Sequence, residues 1–140
     1  HQVVQFFREP FEAKGGKVVG SFFSPLGTTE FAPYLAKIKA AKPRPKGIFG
    51  FLGGTDLMNF VRQYHEFGLM EEGIPVIVGL GGFSSSFLPA LGDAAVGHYH
   101  VYHYSPFFEN AETRSFMSAY KARFGEEADE MSLNGTRSAP

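Results

Sequence analysis

Apolar positions along the chain alternate between a helical rhythm of three to four residues and short unbroken runs bounded by glycine and proline. Val3, Val4, Phe6, Phe7 and Phe11 fall at helical spacing and lead into "KGG", where Gly15 or Gly16 suits a left-handed helix end. "KVVGSFF", residues 17–23, is β-branched and aromatic and predicts a strand, followed by "SPLGTT" as a loop. "EFAPYLAKIKAA" then sets Phe31, Leu35 and Ile38 on one helical face, with Pro33 tolerable in the first turn. After the proline-punctuated "KPRPKG", the same unit repeats: "IFGFL" as a strand, "GGTD" as a turn, and "LMNFVRQYHEFG" as an amphipathic helix closed by Gly68.

"IPVIVGL" predicts a third, fully buried strand, and "GGFSSSFLPALGD" a Gly- and Ser-rich connection with one helical turn from Phe87 to Leu91. "GHYHVYHY" predicts a fourth strand, and "NAETRSFMSAYKARFG" a full helix with Phe116, Tyr120 and Phe124 at i, i+4, i+8. Four apolar strands alternating with helices predict an α/β fold, a parallel sheet covered on both faces by right-handed crossovers. In such a sheet ligands sit outside the carboxyl ends of the strands, where "GGTD" and "GLGGFSSS" both fall. Residues 1–126 are expected to form one domain; residues 127–140, acidic and then small and polar without periodicity, are expected to be poorly anchored.

Composition narrows the function classes. A chain of 140 residues suffices for one core but not for two full domains. With 44% hydrophobic and 19% charged residues it has the make-up of a folded domain rather than a disordered one. Thirteen Lys and Arg against fourteen Asp and Glu force no basic face, which argues against nucleic acid as a partner. The absence of cysteine removes disulfides, thiolate metal sites and a cysteine nucleophile. No window approaches the roughly 20 continuous apolar residues of a membrane span.

Candidate chemistry is thin. "GLGGFS" follows a strand but lacks the third glycine of a dinucleotide fingerprint, and Pro89 and Gly92 interrupt the helix behind it. "GFSSS" misses the spacing of a nucleophile elbow, and Ser84, Asp93 and His98 crowd into fifteen positions, so a flexible serine-capped loop is the better reading than a hydrolase triad. His98 and His100 share a strand face, but two histidines at i, i+2 need a third ligand from elsewhere to hold zinc. No catalytic residue, cofactor or metal is therefore assigned.

"GGTD" reads differently. Thr55 or Asp56 suits a helix N-cap, and Gly53 and Gly54 strip side chains from a strand end so that a ligand can approach the backbone closely. Neither glycine loop carries Lys or Arg to share a phosphate's charge, so a carboxylate or neutral polar group fits better.

The order of these segments is similar to that of a known group. "GGKVVGSFFSPLGTTEFAPYLAKIKAAKP", "GGTDLMNFVRQYHEFGL", "IPVIVG", "LPALGDAAVGHYHVYHYSPF" and "FMSAYKARFGEEA" together resemble the second lobe of branched-chain amino acid type substrate-binding proteins of ABC transporters. The resemblance implies one lobe of a two-lobe periplasmic binding protein: a three-layer, Rossmann-like parallel sheet with helices on both faces. It implies a receptor rather than an enzyme, located in the periplasm. Such a receptor closes on an amino acid, an amide or an aromatic or aliphatic acid, and then docks on ABC permease subunits in the membrane. It also implies that the chain is a fragment lacking the first lobe.

Carried over by position, the implied ligand contacts are Gly53, Gly54 and Thr55 in the first loop and Gly81, Gly82 and Phe83 in the second. Where leucine-binding members place a glutamate for the ligand's ammonium, this chain has Gly81, with no acid nearby in the loop. A buried ammonium without a counter-charge is costly, which favours a flat or apolar acid beside Phe83 over a standard α-amino acid. Two other classes stay open: a small flavodoxin-like nucleotide-binding or enzymatic domain, which would need a phosphate cradle or an acid-base pair, and an interaction module whose Phe-rich helices self-associate.

Overall fold

A computed structural model describes residues 2–79 and 82–132. Helix α1, Gln2–Ala13, ends at Gly15, whose positive φ of 84° lets Gly15 and Gly16 return their N–H groups to the Glu12 and Phe11 carbonyls. Helix α2, Ala32–Ala40, follows a long irregular stretch and buries Leu35 and Ile38, with Phe31 at its start equally buried. Strand β1, Ile48–Gly50, leads into helix α3, Gly54–Glu66, and strand β2, Val76–Gly79, into the short helix α4, Leu88–Leu91, and a 3₁₀ turn at Gly92–Ala95. Strand β3, Tyr99–Val101, and helix α5, Ala111–Phe124, complete the described chain. Asn110 caps α5 by accepting from the Thr113 N–H at 2.7 Å, and Gly125 closes it in the left-handed region.

The three strands run parallel in the order β1-β2-β3, with Ile48 beside Val76 and Val78 beside His100. Alternation therefore sends Ile48, Val76 and Val78 to one face and Phe49, Ile77 and Tyr99 to the other. The first face carries the core: Leu35, Leu57, Val61, Tyr64, Leu69, Val76 and Val78 are almost fully buried, between the sheet and helices α2, α3 and α4. On the second face Phe7 of α1 stacks on Phe49 at 4.0 Å between ring centroids, while Tyr99 and Val101 remain more than half exposed.

One expectation is corrected. "KVVGSFF" forms no strand: Val19, Phe22 and Phe23 are exposed, and the Val18 N–H turns to the Glu12 side chain at 3.4 Å. β-Branched content favours a pleated surface only where a hydrogen-bonded neighbour exists, and this run has no ladder partner among the described residues. Among the described residues the sheet thus has three strands rather than four. In the segment after α5, Ala128 and Glu130 are buried; residues 133–140 lie outside the described residues.

Helix α3 ties down the segments that lack a ladder. The Asp56 carboxylate accepts the Gly27 N–H at 3.0 Å, and Gln63 both accepts from the Phe31 N–H at 2.7 Å and donates to the Thr29 carbonyl at 2.8 Å. Arg62 donates to the Ala90 carbonyl at 2.9 Å, and the fully buried Tyr64 hydroxyl donates to the Ile74 carbonyl at 2.8 Å. Replacing Tyr64 with Phe is expected to leave that carbonyl unpaired and to lower the unfolding free energy by about 1–3 kcal/mol. Urea denaturation measures this, and a loss under about 0.5 kcal/mol would show that the hydroxyl is not the carbonyl's essential partner.

Candidate functional site

Because all three strands are parallel, their carboxyl ends lie at one edge of the sheet, and the loops that follow β1, β2 and β3 gather there. The first of these loops is open. Gly53 takes an extended conformation and caps α3 through its backbone, Gly54 has φ of 56°, and a Cβ at either would meet no heavy atom within 4 Å. Thr55 is exposed beside them. Gly53 therefore stands in the N-cap position for which Thr55 or Asp56 was expected, and no side chain caps the helix. Asp56 is drawn off by the Gly27 N–H instead, and it is buried. The first turn of α3 thus begins with uncapped backbone N–H groups at an unobstructed glycine pair, a setting that favours an anion or an acceptor oxygen.

The second loop is packed rather than open. A Cβ on Gly82 would stand 2.1 Å from Val78 Cγ1 and 3.0 Å from Leu57 Cδ2, so glycine is needed there for close approach to β2 and α3. Phe83 is buried in the core, its ring stacked on His98 at 5.7 Å and 4°. Gly81 lies outside the described residues. The structure accordingly brings Gly53, Gly54 and Thr55 together on an accessible turn, whereas Gly82 is packed close to Leu57 and Val78 and Phe83 belongs to the same buried cluster as those two residues.

Several residues at this edge escaped the sequence reading. The Phe51 ring lies over Gly79, where an added Cβ would meet Phe51 Cε1 at 3.2 Å, and it meets Phe49 edge-on at 5.1 Å while staying 42% exposed. Its spacing from Phe49 across a glycine was the available signal. Glu130 is 5% exposed and accepts from both the N–H and the hydroxyl of Ser85, at 2.8 and 2.9 Å. Nothing in the sequence announces a contact spanning 45 positions. Ser84, by contrast, is a nucleophile candidate that the sequence itself offers; it is fully buried and its hydroxyl lies 2.7 Å from that of Ser86.

Burial governs the titrating groups here. Desolvation lowers the His100 pKa, against the opposing pull of Glu130 and the Phe83 backbone. Burial, helped by Glu130, raises that of Tyr104, whose buried hydroxyl has no hydrogen-bond partner. Burial alone would raise Asp129, yet hydrogen bonds from Ser132, Ser86 and Met131 outweigh it and hold the carboxyl below its usual range. His98 is lowered mainly by burial, and its Nδ1 accepts the Val76 N–H at 3.1 Å. No three His, Asp or Glu residues among those described converge as a metal site.

Two outcomes follow from this geometry. Gly82→Ala is expected to destabilise the fold by about 1–3 kcal/mol through overpacking, whereas Gly53→Ala should remain within about 1 kcal/mol of the parent; equal losses in chemical denaturation would contradict the contrast between packed and open loops. His98 titrates in the folded chain below its unfolded value of about 6.5, so the unfolded state binds more protons in acid. Its contribution is complete above that value and is lost as pH falls through the lower folded pKa. His98→Asn, whose amide oxygen can replace Nδ1 as acceptor, is expected to flatten the decline of melting temperature below pH 6.5; an unchanged slope would exclude His98 as its source.

The comparisons with known proteins agree with this architecture. The sequence profile described as periplasmic binding protein matches residues 1–139. A Leu/Ile/Val-binding protein homolog 6 of Brucella melitensis is 32% identical over 124 residues, covering 88% of this chain and 31% of that protein. An ABC transporter substrate-binding protein from Sphaerobacter thermophilus superimposes with a TM-score of 0.80 at 37% identity, over 89% of this chain and 34% of its own. A solute-binding protein of an ABC transporter from R. palustris, solved in complex with 4-hydroxybenzoate, gives a TM-score of 0.85 at 28% identity, over 97% of this chain and 38% of its own. The chain spans about a third of the length of these relatives. With a family profile running over nearly all of its residues and a parallel α/β body in common with solute-binding proteins, the chain belongs to the periplasmic binding protein family.

Proposed function

We propose that the chain is the second lobe of a solute-binding receptor of an ABC importer. It forms one wall of an interlobe cleft in the periplasm and helps to present a small solute to permease subunits in the membrane. The reading is of binding without catalysis. Its support is the family membership, together with an accessible glycine turn, Gly53 to Thr55, at the strand ends where a parallel sheet receives ligands.

The solute class we favour is an aromatic or aliphatic acid over a standard α-amino acid. The observation that carries this preference is the engagement of the acids at this edge. Asp56 accepts from Gly27, Glu130 from Ser85, and Asp129 from Met131 and Ser132. A ligand ammonium would have to compete with these donors for carboxylates that already serve as acceptors within the fold. The exposed Phe51 ring beside the open turn suits a flat apolar body, and uncapped N–H groups suit an oxygen acceptor. The relative bound to 4-hydroxybenzoate is consistent with this class, while the Leu/Ile/Val-binding relatives represent its rival.

One wall buries only one side of a ligand, so binding to the chain alone should be weak, with Kd on the order of millimolar. In an NMR titration with 4-hydroxybenzoate, the amide signals of Gly53, Gly54 and Thr55 are expected to shift. Phe51→Ala should weaken the response, and L-leucine should bind less well. Leucine binding as tight as 4-hydroxybenzoate would refute the aromatic-acid assignment, and shifts confined to other faces would move the site.

A further inference from the structure

The loop after β2 has few backbone bonds of its own. Among the described residues, the Ser84 carbonyl accepts from the Phe87 N–H at 2.9 Å and the Leu88 N–H at 3.3 Å, and the Phe87 carbonyl from Ala90 at 3.1 Å and Leu91 at 3.3 Å, while none involves the Ser85 N–H. The Ser85 N–H is met by a side chain from far along the sequence. Glu130 Oε2 accepts both that N–H and the Ser85 hydroxyl, and it does so from a position 5% exposed. Hydrogen bonds to an ionised acceptor in such a setting are about twice as strong as neutral ones.

The segment that presents Glu130 is itself built. Asp129 Oδ1 accepts from the Met131 N–H at 3.0 Å, the Ser132 N–H at 2.9 Å and the Ser132 hydroxyl at 2.8 Å, closing a tight turn around Glu130. Ser86 adds a hydrogen bond to Asp129, a second tie to the same loop. From the other side the Tyr102 hydroxyl reaches Met131 Sδ at 3.5 Å, and Ala128 is buried. The turn therefore bridges the loops that follow β2 and β3, at the carboxyl edge of the sheet.

We propose that Glu130 is a positioning residue of the cleft wall: by holding both donors of Ser85 it fixes the loop that carries Gly82 and Phe83 close to the helix that opens at the Gly53–Thr55 turn. A Cβ added at Gly82 would stand 3.0 Å from Leu57 Cδ2, one turn into the helix that begins at Gly54, so the loop backbone lies close to that side chain and its displacement is transmitted to the turn through Leu57. The effect on solute affinity rests on the receptor reading given above; the effect on the loop does not.

Amide hydrogen exchange on the 140-residue chain tests the loop directly. Glu130→Ala is expected to speed exchange at residues 82–87 by roughly tenfold or more, Glu130→Gln by less because one acceptor oxygen survives, and neither to speed β2 or α3 comparably. Tyr64→Phe serves as the control, since it weakens the core without touching the clasp. Loop exchange that is unchanged in Glu130→Ala, or that rises no more than in Tyr64→Phe at matched loss of stability, overturns the proposal. For affinity, the Kd for 4-hydroxybenzoate is expected to rise in the order parent, Glu130→Gln, Glu130→Ala, and an equal Kd in all three despite a loosened loop also overturns it. If the parent binds neither 4-hydroxybenzoate nor L-leucine, the receptor reading falls while the exchange data still decide whether Glu130 positions the loop.

Discussion

Buried backbone groups must find partners, and three strands of three or four residues can satisfy few of them. In this chain the shortfall is met by polar side chains on α3. Gln63 supplies both an acceptor and a donor to the segment entering α2, Asp56 holds the turn at Gly27, Arg62 reaches α4, and Tyr64 reaches the approach to β2. The apolar face of the same helix fills the space above Val76 and Val78. One helix thus serves as the inner wall of the core and as the frame for the irregular segments. Its N-terminus, free of side-chain caps, is also the most accessible part of the candidate site.

The loss of Asp56 as a cap is a direct consequence of that framing. At the start of a helix an aspartate side chain has two competing donors: the backbone N–H groups of its own first turn and those of neighbouring loops. Here Gly27, in a left-handed conformation, offers the better one, and the helix begins on glycine instead. Local propensity favoured the cap, while the tertiary contact left the first-turn donors available to a ligand.

What could be read in the sequence, and what could not, divides along the range of the interactions. The helix ends at Gly15, Gly68 and Gly125, the buried stripe of Phe31, Leu35 and Ile38, and the turn of helix before Leu91 depend on neighbours within a few positions, and periodicity with glycine placement revealed them. "KVVGSFF" has strand composition, but pairing is a long-range event and the run lies exposed. Glu130 sits in a stretch whose acidity suggested a solvated tail, and only the fold brings it to Ser85. The two glycine loops looked alike in the sequence for opposite reasons. Gly53 and Gly54 have empty space where a side chain would be, whereas Gly82 has Val78 and Leu57 there.

That difference bears on how the wall could recognise a solute. A loop whose glycine is pressed against β2 and whose phenylalanine is spent on stacking with His98 has little freedom to contact a ligand with its own side chains. On the proposed receptor reading, its role is to set the depth and firmness of the wall, leaving direct contact to the accessible glycine turn, Thr55 and Phe51. Selectivity against an ammonium then needs no repulsive group. The acids of this edge already serve as acceptors in the fold, and a cation would have to compete with the backbone donors they hold. The hydrogen bonds that hold the edge of the sheet together are, on this account, the same ones that withhold negative charge from the cleft.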